Sequence, residues 1–484
     1  MSKTTLGVIV GNRGFFPDAV ARDGRNEILS ILKEEGFEAI CLTPEDTKFG
    51  TVETFSDSKA CADLFHKNAD RIDGILVTLP NFGDERGVAN AIRISGLKVP
   101  VLVHAYPDEL KKFAIGQRRD GFCGKFSVCS NLQQYNIPFT LTAKHVVWPN
   151  SQSFRQDLQR FGGTCRVVKG LRNSRFGAIG TRPAPFNSVR YSEKLLEHAG
   201  ITVDVIDLAD VLGRAGKLAD SDAKVQAKIA AIKKYVNTSP VPAPSLLKMA
   251  KFGVVVDSWM DENALCGSAI QCWTAMQEHW GVVPCTLMSM MGNSLRPSAC
   301  EVDVAGVVAM YALQLASGKP SAIVDWNNNY EDEEDKCVLF HCANYPADFY
   351  EKPPTMDDHA ILELVMPKEI TWGSLQGRIR TGPVTFLRMS TDDVEGKLTS
   401  YIAEGESTND EALTWGGVGV VHVPRLQELL HYICRNNFEH HVSINMAKVG
   451  GSIADALEGY LGWKVHPHNI RMGAKAQQSF AAKA

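Results

Sequence analysis

The 484-residue chain lacks a strong net charge and lacks any long apolar run. It carries 51 Lys and Arg against 55 Asp and Glu, a formal net charge of −4, so no global basic field favours nucleic acid or an anionic membrane. No run of about 18 apolar residues occurs, so we expect no membrane span. The first residues, MSKTTLGVIVGNRG, are typical of a strand and a turn rather than of a signal peptide. We therefore expect a cytoplasmic protein.

The twelve cysteines include no CxxC pair. In a chain without an export signal we expect reduced thiols, most of them small residues of the core. The ligand spacing that a structural zinc site requires is missing, so the sequence does not predict one. The turn Gly11–Gly14 (GNRG) matches neither GxGxxG nor a P-loop, and nucleotide binding is not predicted there.

The length predicts about three domains of roughly 100–200 residues each. In residues 1–173 and 174–345, apolar strands alternate with helical patterns, which favours two doubly wound α/β domains with parallel sheets. Within the second domain, Lys251–Ser258 (KFGVVVDS) is predicted as a strand. Proline and acidic residues become frequent after Pro346, and residues 346–484 then show strand-like alternation. We expect this third domain to be β-rich and barrel-like.

The stretch Arg296–Trp326 concentrates the candidate chemistry. Glu301 stands at the start of a segment that is apolar almost all round, which predicts a buried helix. Ser321–Asp325 is predicted as a short buried strand that ends in a carboxylate, and sites in open α/β sheets gather at the carboxyl ends of strands. The alternative is that Glu301 complements the helix dipole and Asp325 caps a turn.

Two adjacent histidines, His440 and His441, offer an imidazole to such a site. Adjacent residues of a strand project to opposite sides, so we expect at most one of them to face it. The alternative is a surface histidine beside a hydrogen-bonded buried one. His341 is a further candidate. Two carboxylates and one imidazole would suit Mn²⁺, Mg²⁺ or Co²⁺ better than a metal that prefers thiolates.

Several segments resemble the L-fucose isomerase and L-arabinose isomerase superfamily. These are the CExDxxG pattern at Cys300–Gly306, the FHCAN segment at Phe340–Asn344 and the HHVSI segment at His440–Ile444. Gly11–Pro17 and Arg119–Cys129 resemble the fucose-isomerase-related branch of that superfamily. The resemblance implies two α/β domains followed by a β-rich domain, in agreement with the order predicted above.

The resemblance also implies a ligand set. A Glu, an Asp and a late His bind the family's metal, and these fall on Glu301, Asp325 and His441. Glu301 and Asp325 would then also act as the acid/base pair. Some members have Asn where this chain has His440, so the choice between His440 and His441 stays open.

The implied activity is a metal-dependent aldose–ketose isomerisation of an open-chain sugar through a cis-enediolate, with Mn²⁺, or else Mg²⁺ or Co²⁺, as cofactor. L-Fucose, D-arabinose and a 6-substituted hexose such as sulfoquinovose all remain open as substrates. One alternative is a non-catalytic sugar-binding protein, because paired α/β domains also form hinged binders. Another is a metal-dependent epimerase or aldolase, which shares the enediolate chemistry.

Two basic, glycine-flanked loops, 12–14 and 117–125, lie in the first domain. Relatives assemble as hexamers in which N-terminal domains close neighbouring sites, so these loops are expected to reach a sugar or its anionic substituent across an interface. The alternative is that the arginines are solvated or pair with acids such as Asp120. The substrate-binding residues predicted on this basis, together with two near the metal site, are Arg13, Arg118, Arg119, Lys125, Asn344 and His440.

Overall fold

The computed structural model describes residues 3–114, 116–342 and 344–473, and these form two compact units. The first unit takes in residues 3–169, 451–462 and 471–473. The second takes in residues 170–342, 344–450 and 463–470. The predicted three-domain division stays a prediction.

The first unit is built on a parallel five-stranded sheet. Its strands are β1 (Thr5–Val10), β2 (Glu38–Cys41), β3 (Gly74–Leu79), β4 (Val101–Ala105) and β5 (Thr140–Leu141). They lie in the order β2-β1-β3-β4-β5, and the near-continuous apolar runs of β1, β3 and β4 are wholly buried, as in a sheet covered on both faces. The helices of this stretch are α1 (Asp18–Glu34), α2 (Phe55–Lys67), α3 (Glu85–Ser95), α4 (Gly121–Gln134) and α5 (Gln152–Leu171).

The second unit begins with a four-stranded parallel sheet of order β7-β6-β8-β9. Its strands are β6 (Ser174–Ile179), β7 (Ile201–Ile206), β8 (Gly267–Ile270) and β9 (Ser298–Cys300). The strand predicted at Lys251–Ser258 is wrong, because these residues lie inside a helix, α9. The helices are α6 (Glu193–His198), α7 (Leu208–Gly216), α8 (Ala223–Tyr235), α9 (Ala243–Glu262), α10 (Ala275–Trp280), α11 (Cys285–Asn293) and α12 (Val304–Ser317).

The second unit also holds a mixed nine-stranded sheet. Its strands are β10 (Ser321–Tyr330), β11 (Glu333–His341), β12 (Thr355–Asp358), β13 (Trp372–Arg378), β14 (Gly382–Asp392), β15 (Lys397–Ser407), β16 (Gly417–His422), β17 (His441–Asn445) and β18 (Lys464–His468). Their order is β12-β13-β16-β11-β10-β17-β14-β15-β18, and an additional pairing of β15 with β16 makes part of the sheet ring-like. The strand predicted to end at Asp325 continues to Tyr330.

The remaining helices are α13 (Ala360–Glu363), α14 (Leu426–Arg435), α15 (Gly450–Ala454) and a π-helical turn, Asp455–Tyr460. Two parallel sheets followed by a large mixed β-sheet confirm the predicted fold class. Among the described helices, none is both long and apolar enough to cross a membrane.

Candidate active site

Glu301 lies where the sequence predicts it, at the carboxyl end of β9 and just before α12. Its side chain is buried. Glu301 and the following Val302 both adopt left-handed backbone conformations, with φ of 62° and 57°. For residues other than glycine such conformations cost about 1–3 kcal/mol each, and they persist where the surrounding structure enforces them. Backbone strain of this kind collects at functional sites, so the turn marks Glu301 as a functional candidate.

Asp325 and His441 face each other across neighbouring antiparallel strands, β10 and β17. Nε2 of His441 lies 3.5 Å from Oδ1 of Asp325 and 3.3 Å from Oε2 of Glu301. The fold therefore brings together the three predicted ligands from positions separated by up to 140 residues of sequence.

The oxygens at this point need a partner. Oε2 of Glu301 and Oδ1 of Asp325 are buried and have no hydrogen-bond partner among the described residues. Leaving a buried polar atom unsatisfied costs about 1–3 kcal/mol, and more when it is charged. A divalent cation would satisfy both oxygens, and a set of two carboxylates and one imidazole suits Mn²⁺, Mg²⁺ or Co²⁺. The residues present therefore fit such an ion.

Asp303 is the functional residue that the sequence analysis did not single out, although it is the Asp of the CExDxxG pattern. Its carboxylate is fully buried, and its Oδ2 lies 3.0 Å from Nδ1 of His441. Its Oδ1 accepts a hydrogen bond of 2.8 Å from the backbone N–H of Gly306, which caps α12. Histidines that bind metals commonly donate their other ring N–H to a carboxylate. Asp303 therefore orients His441 so that Nε2 faces the two partnerless oxygens.

A buried arginine holds Asp303 in its charged form. Arg388, on β14, donates from Nη1 to Oδ2 of Asp303 at 2.5 Å and from Nε to Glu439 at 2.9 Å. Burial by itself raises the pKa of Asp303, but Arg388 and His441 outweigh it and hold the pKa below its ordinary range. Arg388 is the one charged residue of the segment Gly382–Met389 (GPVTFLRM), and this is the sequence signal for the contact.

The carboxylates of Asp303 and Glu301 also shift the pKa of His441. Burial by itself lowers the pKa of His441, but Asp303 and Glu301 raise it to about 10. At neutral pH the imidazole of the cation-free protein is therefore protonated. Its charge offsets part of the negative charge of the Glu301 and Asp325 oxygens, although neither oxygen is hydrogen-bonded to it. A cation bound at Nε2 would have to displace that proton.

Both adjacent histidines, His440 and His441, lie beside Asp325, whereas at most one was expected to face the site. Nε2 of His440 lies 3.7 Å from Oδ1 of Asp325, and the rings of His440 and His441 are 4.5 Å apart. The prediction that only one could face the site is wrong, because His440 precedes β17 and the strand alternation has not yet begun there. The two differ in burial, since the His440 side chain is 45% exposed and that of His441 is 1% exposed.

The FHCAN segment also reaches this site. His341 is buried with its ring 5.5 Å from that of His441, and donor atoms of Glu301, His341 and His441 lie within 4.8 Å of one another. Asn344 donates from Nδ2 to the carbonyl of Ser298 at 3.0 Å, and its Oδ1 is buried with no partner among the described residues.

Two of the predicted basic residues pair with acids inside the first unit. Arg13 forms an ion pair with Glu85 and lies over the ring of Phe82, 4.3 Å from its centroid. Arg118 forms an ion pair with Asp120, which is the alternative considered above. A substrate-binding role for these residues stays a prediction.

The other two basic residues have different surroundings. Arg119 donates to the carbonyl of Pro80 at 2.9 Å and lies over the rings of Tyr106 and Trp148. The ammonium of Lys125 is buried and donates to Oγ1 of Thr142 at 2.6 Å and to the carbonyl of His145 at 2.8 Å. Their predicted contact with a sugar remains to be tested.

Two family models match this chain. The model for the N-terminal domain of fucose/sulfoquinovose isomerase matches residues 7–172, and that for the C-terminal domain of L-fucose isomerase matches residues 339–468. Together these matches span more than half of the chain.

Curated relatives are similar to this chain at low identity. The sulfoquinovose isomerase of Priestia aryabhattai is 22% identical over 348 residues, which is 71% of this chain and 73% of the relative. That of Alkalicoccus urumqiensis is 26% identical over 190 residues, 38% of this chain and 42% of the relative. The chain belongs to the L-fucose isomerase and L-arabinose isomerase superfamily, in its fucose-isomerase-related branch, and is a sugar isomerase that interconverts an aldose and a ketose.

Proposed function

We propose that the protein isomerises a hexose with an anionic substituent at C6, sulfoquinovose first, and that it requires a divalent cation, Mn²⁺ first. The observation that carries the proposal is the convergence of two partnerless carboxylate oxygens, from Glu301 and Asp325, on Nε2 of His441. The substrate is supported by the curated relatives, which are named sulfoquinovose isomerases.

Glu301, Asp325 and His441 would hold the cation, with Asp303 fixing the imidazole of His441. When bound, the cation would polarise the substrate carbonyl and stabilise the negative charge of an enediolate. This stabilisation matters because a proton on the carbon next to a carbonyl is only weakly acidic.

The two carboxylates would move the protons. One of them, Glu301 or Asp325, removes the proton from C2 of the aldose and returns it to C1 on the same face of a cis-enediolate. The other transfers a proton between O2 and O1, directly or through water. General acid–base catalysis of this kind contributes about 10²–10⁴-fold to a rate.

The proposal extends to the assembly. We propose that the protein works in the cytoplasm as a homohexamer, in which a first unit contributes to a neighbouring subunit's site. Arg13, Arg118, Arg119 and Lys125 would then lie toward the far end of that sugar, with Asn344 and His440 beside the cation.

The cheapest test is a sugar panel with controlled metal. Protein stripped with a chelator should be inactive, and Mn²⁺ should restore activity better than Mg²⁺ or Co²⁺. Among sulfoquinovose, glucose 6-phosphate, L-fucose and D-arabinose, sulfoquinovose should give ketose fastest. Full activity after exhaustive chelation would overturn the metal requirement. Faster turnover of an uncharged sugar would contradict the proposed substrate. Epimers or cleavage products would favour an epimerase or an aldolase.

Turnover in deuterated water distinguishes a proton-transfer mechanism from a hydride shift. Turnover in D₂O should place deuterium at C1 of the ketose and C2 of the aldose, because a carboxylate that holds the proton exchanges it with water. Products free of deuterium after many turnovers, with no fast internal return of the proton, would rule out the proposed acid–base role.

A further inference from the structure

Four buried cysteines from four separate segments meet next to the carboxylate site. Cys272 follows β8, Cys285 begins α11, Cys300 ends β9 and Cys342 follows β11. The thiols of Cys300 and Cys342 lie within 4.8 Å of each other, and those of Cys272 and Cys285 lie close enough to raise the pKa of Cys300. Their spacing in the sequence gave no sign of this, because the parallel sheet and β11 bring together residues up to 70 positions apart.

An imidazole completes the cluster. Nδ1 of His341 lies 3.4 Å from Sγ of Cys342, and the donor atoms of Cys300, His341 and Cys342 are all within 4.8 Å of one another. The thiols of Cys272 and Cys285 do not belong to this group, so the donor set among the described residues is Cys300, His341 and Cys342.

One distance in this group, between Cys342 and His341, already matches that of a filled site. Zn²⁺ binds sulfur at about 2.3 Å and imidazole nitrogen at about 2.0–2.1 Å, so the donors of a tetrahedral site lie roughly 3.5–4 Å apart. The contact between Cys342 and His341 already has this length. Cys300 lies within 4.8 Å of both and would have to move closer to reach the same distance, and all three donors are buried.

We propose that Cys300, Cys342 and Nδ1 of His341 form a second metal site, which takes Zn²⁺ or another thiophilic divalent cation. Thiolates select such ions over Mn²⁺ and Mg²⁺, which the oxygen-rich site favours, so the two sites would hold different metals. Two cysteines and one histidine supply three of the four ligands of a tetrahedral Zn²⁺ site, and a water molecule would take the fourth position. With Nδ1 occupied, Nε2 of His341 carries the proton and can only donate, and the ion thereby fixes this ring beside Glu301.

Cobalt is a suitable probe, because Co²⁺ bound to thiolates gives a sulfur-to-metal charge-transfer band that oxygen and nitrogen ligands do not give. Metal-free, reduced protein titrated with Co²⁺ should develop this band in the wild type and in Glu301→Gln. The band should be lost in Cys342→Ala. The matched control is Cys337→Ala, which removes another buried thiol of the second unit outside the cluster and should keep the band. No band in the wild type, or a band that persists in Cys342→Ala, would overturn the proposal.

A second measurement needs no variant. Zn²⁺ should displace cobalt from the wild-type protein and abolish the band, excess Mn²⁺ should not, and a mercurial thiol reagent should release the bound Zn²⁺. Zinc that Mn²⁺ displaces, or that the mercurial leaves in place, would show that it sits at the oxygen-rich site instead.

Discussion

The two ring nitrogens of His441 contact different groups. Nδ1 faces the carboxylate of Asp303, which Arg388 and the N-terminus of α12 hold in place. Nε2 faces the oxygens of Glu301 and Asp325. Because the ring cannot turn without losing Asp303, the direction in which Nε2 faces the proposed cation is set by residues that would not touch that cation.

Glu301→Gln tests the proposed base. Gln keeps the shape of the side chain but cannot accept a proton, so kcat should fall by about 100-fold or more. The cation-free variant should still unfold cooperatively above the assay temperature, although it loses the carboxylate that faces the protonated Nε2 of His441 at 3.3 Å. Glu262→Gln, on the exposed surface of the same unit, is the control and should keep full activity. A Glu301→Gln enzyme with more than about a tenth of the wild-type rate would contradict the assignment.

Asp303→Asn tests the positioning of His441. The neutral amide orients the imidazole less strongly, so affinity for Mn²⁺, measured by calorimetry, should fall about 10–100-fold. Arg388 would keep only Glu439 as a charged partner, and breaking a buried pair costs about 3–5 kcal/mol of unfolding free energy. Asp261→Asn is the matched control, because its pair with Arg296 is exposed and should matter by less than about 1 kcal/mol. Equal effects of the two substitutions would refute the positioning role.

At the scale of the element, the helix α9 shows where a local pattern misleads. The run GVVV within Lys251–Ser258 has the β-branched residues of a strand, but a short apolar run does not by itself distinguish a buried strand from a buried helix. The length of the wider segment and the position of its proline distinguish a helix from a strand here. Apolar residues continue from Leu246 to Met260, longer than a strand of this sheet, and Pro244 lies in the first turn, where helices accept proline. The strands β1, β3 and β6 were predicted correctly because turn residues bound each of them.

Lys125, on α4, gives a prediction with a defined pH window. Burial lowers its pKa to about 8 from an ordinary value of 10.5. Between these values the unfolded chain keeps the proton while the folded protein releases it, so stability rises with pH in this window. Across it the lysine should contribute about 3 kcal/mol to the rise. In Lys125→Met this contribution is absent.

The measurement is denaturant unfolding of both proteins between about pH 7 and about pH 10. The unfolding free energy of Lys125→Met minus that of the wild type should decrease as pH rises. Lys59→Met, at an exposed position of α2, should show no such trend. A difference that stays constant for Lys125→Met would mean that the ammonium titrates normally and is therefore hydrated.

At the scale of the whole molecule, contacts between distant residues separate what could be predicted from what could not. Glu301, Asp325 and His441 could be predicted as neighbours because the resemblance to the superfamily assigns them together, and the fold brings them close to one another. The link from Asp303 to Arg388 and the thiol cluster were not assigned in this way, and each depends on which strands become neighbours. Strand order is a tertiary property, and no spacing within the sequence encodes it.

The last prediction concerns the proposed sharing of sites between subunits. Arg119→Ala removes the guanidinium proposed to reach a neighbour's sugar, and Glu301→Gln removes the proposed base, so each protein alone should be inactive. If a first unit completes a neighbour's site, dissociating and reassembling a mixture of the two should restore part of the activity, because some sites then receive both intact halves. A mixture of Glu301→Gln with Asp325→Asn is the control and should stay inactive, since both changes fall within the same second unit. If mass measurements confirm mixed oligomers and the Arg119→Ala mixture stays as inactive as the control, Arg119 does not complete a neighbour's site.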